Sequence, residues 1–167
     1  MGIDVPTVLE SVRGEFPGSG VDFAAGCDVD GTDTSGIADA VRLAGDADVC
    51  VAVLGDRAGL FGRGTSGEGC DAADLSLPGV QGELLDALLA TGTPVVLVLL
   101  TGRPYGLGRW ADRTAAVVQA FFPGEEGGPA LAGVLSGRVN PSGRCRWAFR
   151  RVRAVSRGRI CSRRSGW

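Results

Sequence analysis

Three features of the chain predict an α/β fold in which a mostly parallel sheet lies between layers of helix. Helical and strand patterns alternate along the sequence. Val95–Leu100 is an unbroken aliphatic run, the pattern of a strand buried on both faces. A loop over residues 55–78 is too glycine-rich to be helix or strand and too long to be a plain connection, and such loops are usually functional or disordered.

The first helix is predicted over residues 5–16, where Val5, Val8, Leu9, Val12 and Phe16 recur at helical spacing. A short strand follows at Val21-Asp22-Phe23-Ala24. Thr34 or Ser35 then caps a helix that runs to about Gly45, with Ile37, Val41 and Leu43 as its apolar contacts. Residues 49–54 form a strongly apolar strand, and the long loop leaves it at Gly55. Gln81–Ala90 reads as a helix with Val80, Leu84, Leu85, Leu88 and Leu89 on its buried side and Gly92 as its stop. After Val95–Leu100, residues 117–122 make a further strand closed by Pro123-Gly124. Residues 127–135 form a short helix, and Glu125 and Glu126 at its amino end are favourable against the helix dipole. In sheets of this kind the site lies beyond the carboxyl ends of the strands. The loops after Leu54, Leu100 and Phe122 are therefore the places to look.

At 167 residues and 44% hydrophobic, the chain can bury one core, removing about two thirds of its unfolded surface from water. The longest apolar run, residues 94–100, falls short of the roughly 18 residues a membrane span needs. The first six residues carry neither a basic start nor an apolar signal core, so the expected location is the cytoplasm, with no membrane partner. The five cysteines are odd in number and widely spaced, which indicates neither a zinc site nor a disulfide framework.

The chain has no histidine, and all of its 17 basic residues are arginines. That composition removes Ser-His-Asp and Cys-His catalysis, histidine-based zinc sites, the phosphate-loop lysine and Schiff-base chemistry. Neither a metal nor an organic cofactor is expected. Gly62, Gly64 and Gly67 do match Gly-x-Gly-x-x-Gly, but a dinucleotide site needs that turn to pass directly from strand to helix. Here the strand ends by Gly55 and the next helix waits until about Pro78.

Charge is divided along the chain. All 19 acidic residues precede position 144, whereas residues 144–167 hold arginine and no acid. Such a tail can act as a nucleic-acid arm, but the departures described below favour another origin, and no nucleic-acid partner is expected.

Within the long loop, Glu68 sits in Ser66-Gly67-Glu68-Gly69-Cys70-Asp71. A carboxylic acid held on a loop beyond a parallel strand suggests proton transfer. By itself, a glutamate among glycines is more often a solvated surface charge.

Five blocks sharpen the choice. In order they are residues 64–71 (Gly-Thr-Ser-Gly-Glu-Gly-Cys-Asp), 74–81 (Asp-Leu-Ser-Leu-Pro-Gly-Val-Gln), Thr101-Gly102-Arg103-Pro104 after the apolar strand, Phe122-Pro123-Gly124-Glu125-Glu126-Gly127-Gly128, and Asn140-Pro141-Ser142-Gly143. Together they resemble the carboxyl-terminal α/β-sandwich domain of glycoside hydrolase family 3, over residues 3–143. The fold this implies is a three-layer sandwich with flavodoxin-like layering, incomplete at both ends. The activity it implies is that of a retaining β-glucosidase or β-xylosidase acting on the O-glycosidic bond of a β-glycoside. In the family the nucleophile is an aspartate on a separate (β/α)8 barrel, and the sandwich loop contributes a glutamate as general acid/base. Glu68 matches that glutamate.

A retaining glycosidase needs two carboxyl groups about 5 to 5.5 Å apart, one attacking and one protonated to release the alcohol. Ser66 and Asp71 flank Glu68; Asp71 reads either as a loop partner or sugar-hydroxyl contact, or as a turn-forming aspartate. The family often has arginine after that aspartate, where this chain has Ala72. Arg103, just past a strand end, reads either as a support for the site loops or as a surface arginine.

The chain departs from the family after Gly143. Where the family continues with a basic residue and Leu-Pro-Val, this chain reads Arg144-Cys145-Arg146-Trp147-Ala148-Phe149-Arg150. Codons for these residues, read two bases along, can encode Leu-Pro-Val-Gly-Phe-Pro. Residues 144–167 are thus expected to be an out-of-frame, disordered tail, leaving 1–143 as the sandwich domain. Met1 reads as an internal start that omits the first strand and the barrel, which predicts exposed apolar faces, marginal stability and little turnover by the chain alone. The second functional reading is a non-catalytic sugar-binding or interaction module that docks on a barrel encoded separately.

Overall fold

The computed structural model describes residues 4–141 and 143. The arginine-rich tail, and the out-of-frame reading attached to it, lie outside the described residues.

Nine elements occur in the order α1 (Val8–Glu15), α2 (Ile37–Asp46), β1 (Cys50–Gly55), β2 (Ala58–Gly59), β3 (Ser66–Gly67), α3 (Gln81–Ala90), β4 (Val95–Leu100), β5 (Ala116–Gln119) and α4 (Gly127–Ser136) among the described residues. The main sheet has the order β1-β4-β5 with both pairings parallel. The fold is the α/β architecture expected, a parallel sheet with helices packed in two pairs, α2 with α3 and α1 with α4.

Pairing of Cys50 with Val95 and Gly55 with Leu100 sets the register, so alternate residues face opposite sides. Ala52, Leu54, Val95, Leu97 and Leu99 meet Ala40 and Ala44 of α2 and Leu84, Leu85 and Leu88 of α3 in one core. Full burial of each large aliphatic side chain there contributes about 1.5–3 kcal/mol. Val98 points to the other face and is equally buried. Its neighbour in register, Val53, is 41% exposed on that same face, as Val51 is to a similar degree. The sheet is covered on both sides at β4 and open on one side at β1.

Residues Gln81–Ala90 and Val95–Leu100 form the helix and strand expected of them. Elsewhere the ends differ for local reasons. Helix α1 starts at Val8, because Thr7 and Glu10 build a reciprocal cap: the Thr7 N–H donates to Glu10 Oε2 at 2.8 Å and the Glu10 N–H donates to Thr7 Oγ1 at 3.1 Å. Neither Thr34 nor Ser35 caps α2. Asp33 instead accepts from the Ser35 N–H at 2.8 Å in an Asx turn, and Gly36 is the N-cap. Residues 21–24 are not a strand: they join neither sheet, and the Val21 carbonyl accepts from the Arg13 guanidinium instead. Strand β5 stops at Gln119 because Phe121 adopts φ +55° and turns the chain away.

Two polar latches hold helices in place. Arg138, past the end of α4, donates to both carboxylate oxygens of Glu15 on α1, at 2.8 and 3.0 Å. That pairing, aided by the Ser136 hydroxyl, pulls the Glu15 carboxyl down to a pKa of about 2. On α3, Asp86 accepts from Trp110 Nε1 at 2.8 Å and pairs with Arg109 and Arg113, which fastens the β4–β5 connection to the helix. No helix among the described residues is long and apolar enough to cross a membrane.

Candidate active site

Strands β1 and β4 end side by side, and the long loop begins there. Gln81, at the start of α3 and only 2% exposed, clamps the end of β1. Its Oε1 accepts the Gly55 N–H at 2.7 Å, while its Nε2 donates to the carbonyls of Gly55 at 2.8 Å and Val29 at 2.7 Å. With donor and acceptor of Gly55 both satisfied by one side chain, the chain can leave the sheet without orphaned backbone groups.

Asp56 follows immediately and joins the two strand exits. Its N–H donates to the Leu100 carbonyl at 2.8 Å. Its carboxylate accepts the Gly102 N–H at 2.9 Å, the Thr65 hydroxyl at 2.7 Å and the Tyr105 hydroxyl at 2.5 Å. Tyr105 is buried, and that burial together with its bond to Asp56 pushes the phenol well above its usual pKa. It therefore remains a donor throughout the neutral range. Thr65 completes the junction by accepting the Arg57 N–H at 2.9 Å.

The loop is not without structure, as its glycine content had suggested. Strands β2 and β3 pair in parallel, Ala58 with Ser66 and Gly59 with Gly67. Gly67 has φ +132°, and a Cβ there would sit 1.9 Å from the Gly59 carbonyl oxygen. No side chain fits between segments that close. The loop also lies against β4's exit: a Cβ on Gly102 would stand 2.0 Å from Ser66 Oγ and 2.9 Å from Phe122 Cε2. Arg103 completes the attachment by donating from Nη2 to the carbonyls of Thr65, at 3.2 Å, and Cys70.

Glu68 lies between those two carbonyls. Ser66 and Cys70 are buried at 6% and 8% exposure, while Gly67, Glu68 and Gly69 between them are exposed. The Glu68 carbonyl accepts the Gly62 N–H at 3.1 Å, so the tip's backbone is fixed from the opposite arm of the loop. Its carboxylate bonds no other described residue and faces solvent. A free carboxylate on an anchored tip can exchange a proton with whatever is brought against it.

Of the residues singled out in the sequence, Ser66, Glu68 and Arg103 come together in this loop. Arg103 bonds the loop directly. Asp71 is exposed just past Cys70, and its carboxylate makes no bond to the loop among the described residues. Asp56, Tyr105 and Gln81 escaped sequence reasoning. An acid at the first position past a buried strand, and the one tyrosine of the chain two residues after Arg103, were the available signals. Among the described residues, no group of three His, Cys, Asp or Glu side chains is placed to hold a metal ion.

A parallel α/β sheet that carries an anchored acidic loop past its strand ends defines a class of domain, one that presents a carboxyl group at its rim. Residues 3–157 match the family model described as the glycosyl hydrolase family 3 C-terminal domain, and the chain belongs to that family. It is 37% identical over 131 residues to a β-xylosidase of Formosa agariphila and 41% identical over 115 residues to a periplasmic β-glucosidase of Salmonella typhimurium. These alignments cover 78% and 69% of this chain but 17% and 14% of the relatives. Among solved structures, a β-glucosidase from Erythrobacter marinus superposes with a TM-score of 0.69 at 36% identity, over 83% of this chain and 22% of that one. A Listeria innocua β-glucosidase in complex with glucose gives 0.64 at 29% identity, over 75% of this chain and 17% of that one.

Proposed function

We propose that this chain supplies the general acid/base loop of a retaining glycoside hydrolase that cleaves β-glucosides or β-xylosides, with the nucleophile furnished by a (β/α)8 barrel in cis or in trans. The observation that carries the reading is the Glu68 tip: an exposed carboxylate that bonds no other described residue, flanked two residues away on each side by buried Ser66 and Cys70, in a loop that Arg103 ties to the exit of β4. Family membership and the names of the relatives, β-xylosidase and β-glucosidase, supply the substrate class.

The chemistry runs by double displacement. As the barrel's carboxylate attacks the anomeric carbon, Glu68 gives its proton to the glycosidic oxygen and the alcohol leaves. Glu68, now ionised, then takes a proton from the water that hydrolyses the glycosyl-enzyme. A general acid works best where its proton is retained near neutral pH, which a closed and water-poor site favours. Docking of a barrel wall over the exposed tip would supply that closure. The anchors matter because misplacing a catalytic group by about 1 Å can cost 100-fold in rate. Gln81 and Asp56 hold the root of the loop and Arg103 holds its far limb. Without the nucleophile the covalent step is lost, so the chain alone is expected to turn over little substrate.

The test joins this chain to the barrel of a family 3 relative and follows cleavage of an alkyl β-glycoside. Glu68→Gln should lower kcat/KM by about 100- to 10,000-fold, with much less effect on kcat/KM for a dinitrophenyl glycoside, whose leaving group needs no proton. Unchanged cleavage of the alkyl glycoside by the Gln variant would remove Glu68 from the reaction and leave a docking module as the better description.

A further inference from the structure

Phe61 is 80% exposed, more than any other large apolar side chain among the described residues. It is also one of two non-glycine residues there with positive φ, at +55°. An aromatic residue in left-handed backbone is strained, and glycine would relieve the strain. The loop uses glycine freely: Gly62 comes next at φ +73°. At position 61 the chain instead carries a strained backbone and an exposed ring, and burial compensates for neither. Backbone strain of this kind clusters at ligand-contacting sites.

The backbone that bears the ring lies against the turn that bears the acid. The N–H of Gly62 donates to the Glu68 carbonyl at 3.1 Å. The Phe61 carbonyl carbon lies 3.5 Å from the position of a Cβ on Gly69. The residue bearing the ring therefore abuts the turn bearing the carboxylate. When Glu68 protonates a glycosidic oxygen, the departing alcohol is the group bonded to that oxygen on the acid's side. Its ring must then lie within a few ångströms of the tip.

We propose that Phe61 is the platform for the leaving group, a specificity-determining residue that favours substrates whose departing alcohol carries a ring. The flat apolar face suits an aryl ring or the C–H face of a second pyranose, and it offers little to a methyl group. The proposal rests on the reading of Glu68 as acid/base.

The experiment uses the chain joined to a family 3 barrel and compares kcat/KM for three β-glycosides of one sugar: methyl, phenyl and a disaccharide. Phe61→Gly is the informative variant, because glycine fits the backbone at φ +55° and keeps the loop fold. It should lose about 3- to 10-fold in kcat/KM on the phenyl glycoside and the disaccharide, the range of a single aromatic contact. Methyl glycoside cleavage should stay within twofold of the parent by the same reasoning, which leaves that group without a stacking partner. Phe61→Trp should retain the preference for rings. An equal fall on all three substrates would mark Phe61 as a contact to the barrel and overturn the proposal. Glu68→Gln run alongside separates the two failures. If it abolishes methyl glycoside cleavage while Phe61→Gly leaves selectivity unchanged, the platform falls and the acid stands. If it changes nothing, both fall.

Discussion

Asp56 should be the most sensitive polar residue of the rim, and a double-mutant cycle with Tyr105 measures why. Three donors converge on its carboxylate: the Gly102 N–H, the Thr65 hydroxyl and the Tyr105 hydroxyl. Bonds to a charged acceptor contribute about 1.5–3 kcal/mol each, and Asp56 is half-buried, so the lower end applies. Asp56→Ala should therefore cost about 4.5 kcal/mol, and Tyr105→Phe about 1.5 kcal/mol. The two costs should not add. Once Asp56 is gone the Tyr105 hydroxyl is buried without its partner, so removing it as well relieves a penalty. The double variant should be more stable than the sum of the single effects predicts by about 1–2 kcal/mol. Urea unfolding followed by circular dichroism reads all three variants, provided the m-value is unchanged. Additivity within about 0.5 kcal/mol would show that the two groups do not interact and would refute the junction as the anchor of the loop.

Replacing Gln81 by Leu keeps the bulk of a 2%-exposed side chain but leaves the Gly55 N–H and the carbonyls of Gly55 and Val29 unmatched; a loss of about 2–4 kcal/mol in urea unfolding is expected, and a change below about 0.5 kcal/mol would dismiss the clamp. Glu15 bears on pH. Its carboxyl is lowered from 4.5 to about 2 in the folded chain, so the stability it adds is fully present above its unfolded pKa and disappears as pH falls from about 4.5 toward 2. Unfolding midpoints of Glu15→Gln should consequently be flatter across that window than those of the parent; identical acid limbs would contradict the Arg138 latch.

How far the sequence could be read depended on whether a feature was local. Val95–Leu100 and Gln81–Ala90 carry their periodicity in every residue, and their ends matched. The strand expected at 21–24 failed because strand formation needs a partner, and residues 21–24 pair with neither sheet. Glu68 was singled out through the motif around it, and it stands exposed at the tip of its loop. What holds that loop was not legible, since Asp56 and Tyr105 are 49 residues apart and Gln81 reaches 26 residues back to Gly55. Such convergence has no signature in spacing. The loop's glycines pointed to an unstructured segment, yet several permit the close backbone approach by which Gly59 and Gly67 pair.

The central claim is that Glu68 serves as acid in one step and base in the next, and azide tests both at once. In the chain joined to a family 3 barrel, Glu68→Ala should release an activated dinitrophenol at close to the parent rate and then stall, because water lacks its base. Azide is a small anion that needs no deprotonation, so it should fit the space vacated by the carboxylate, restore turnover and leave as the β-glycosyl azide with retained configuration. Stalled enzyme that azide cannot restart, or full turnover by Glu68→Ala without azide, would contradict the account.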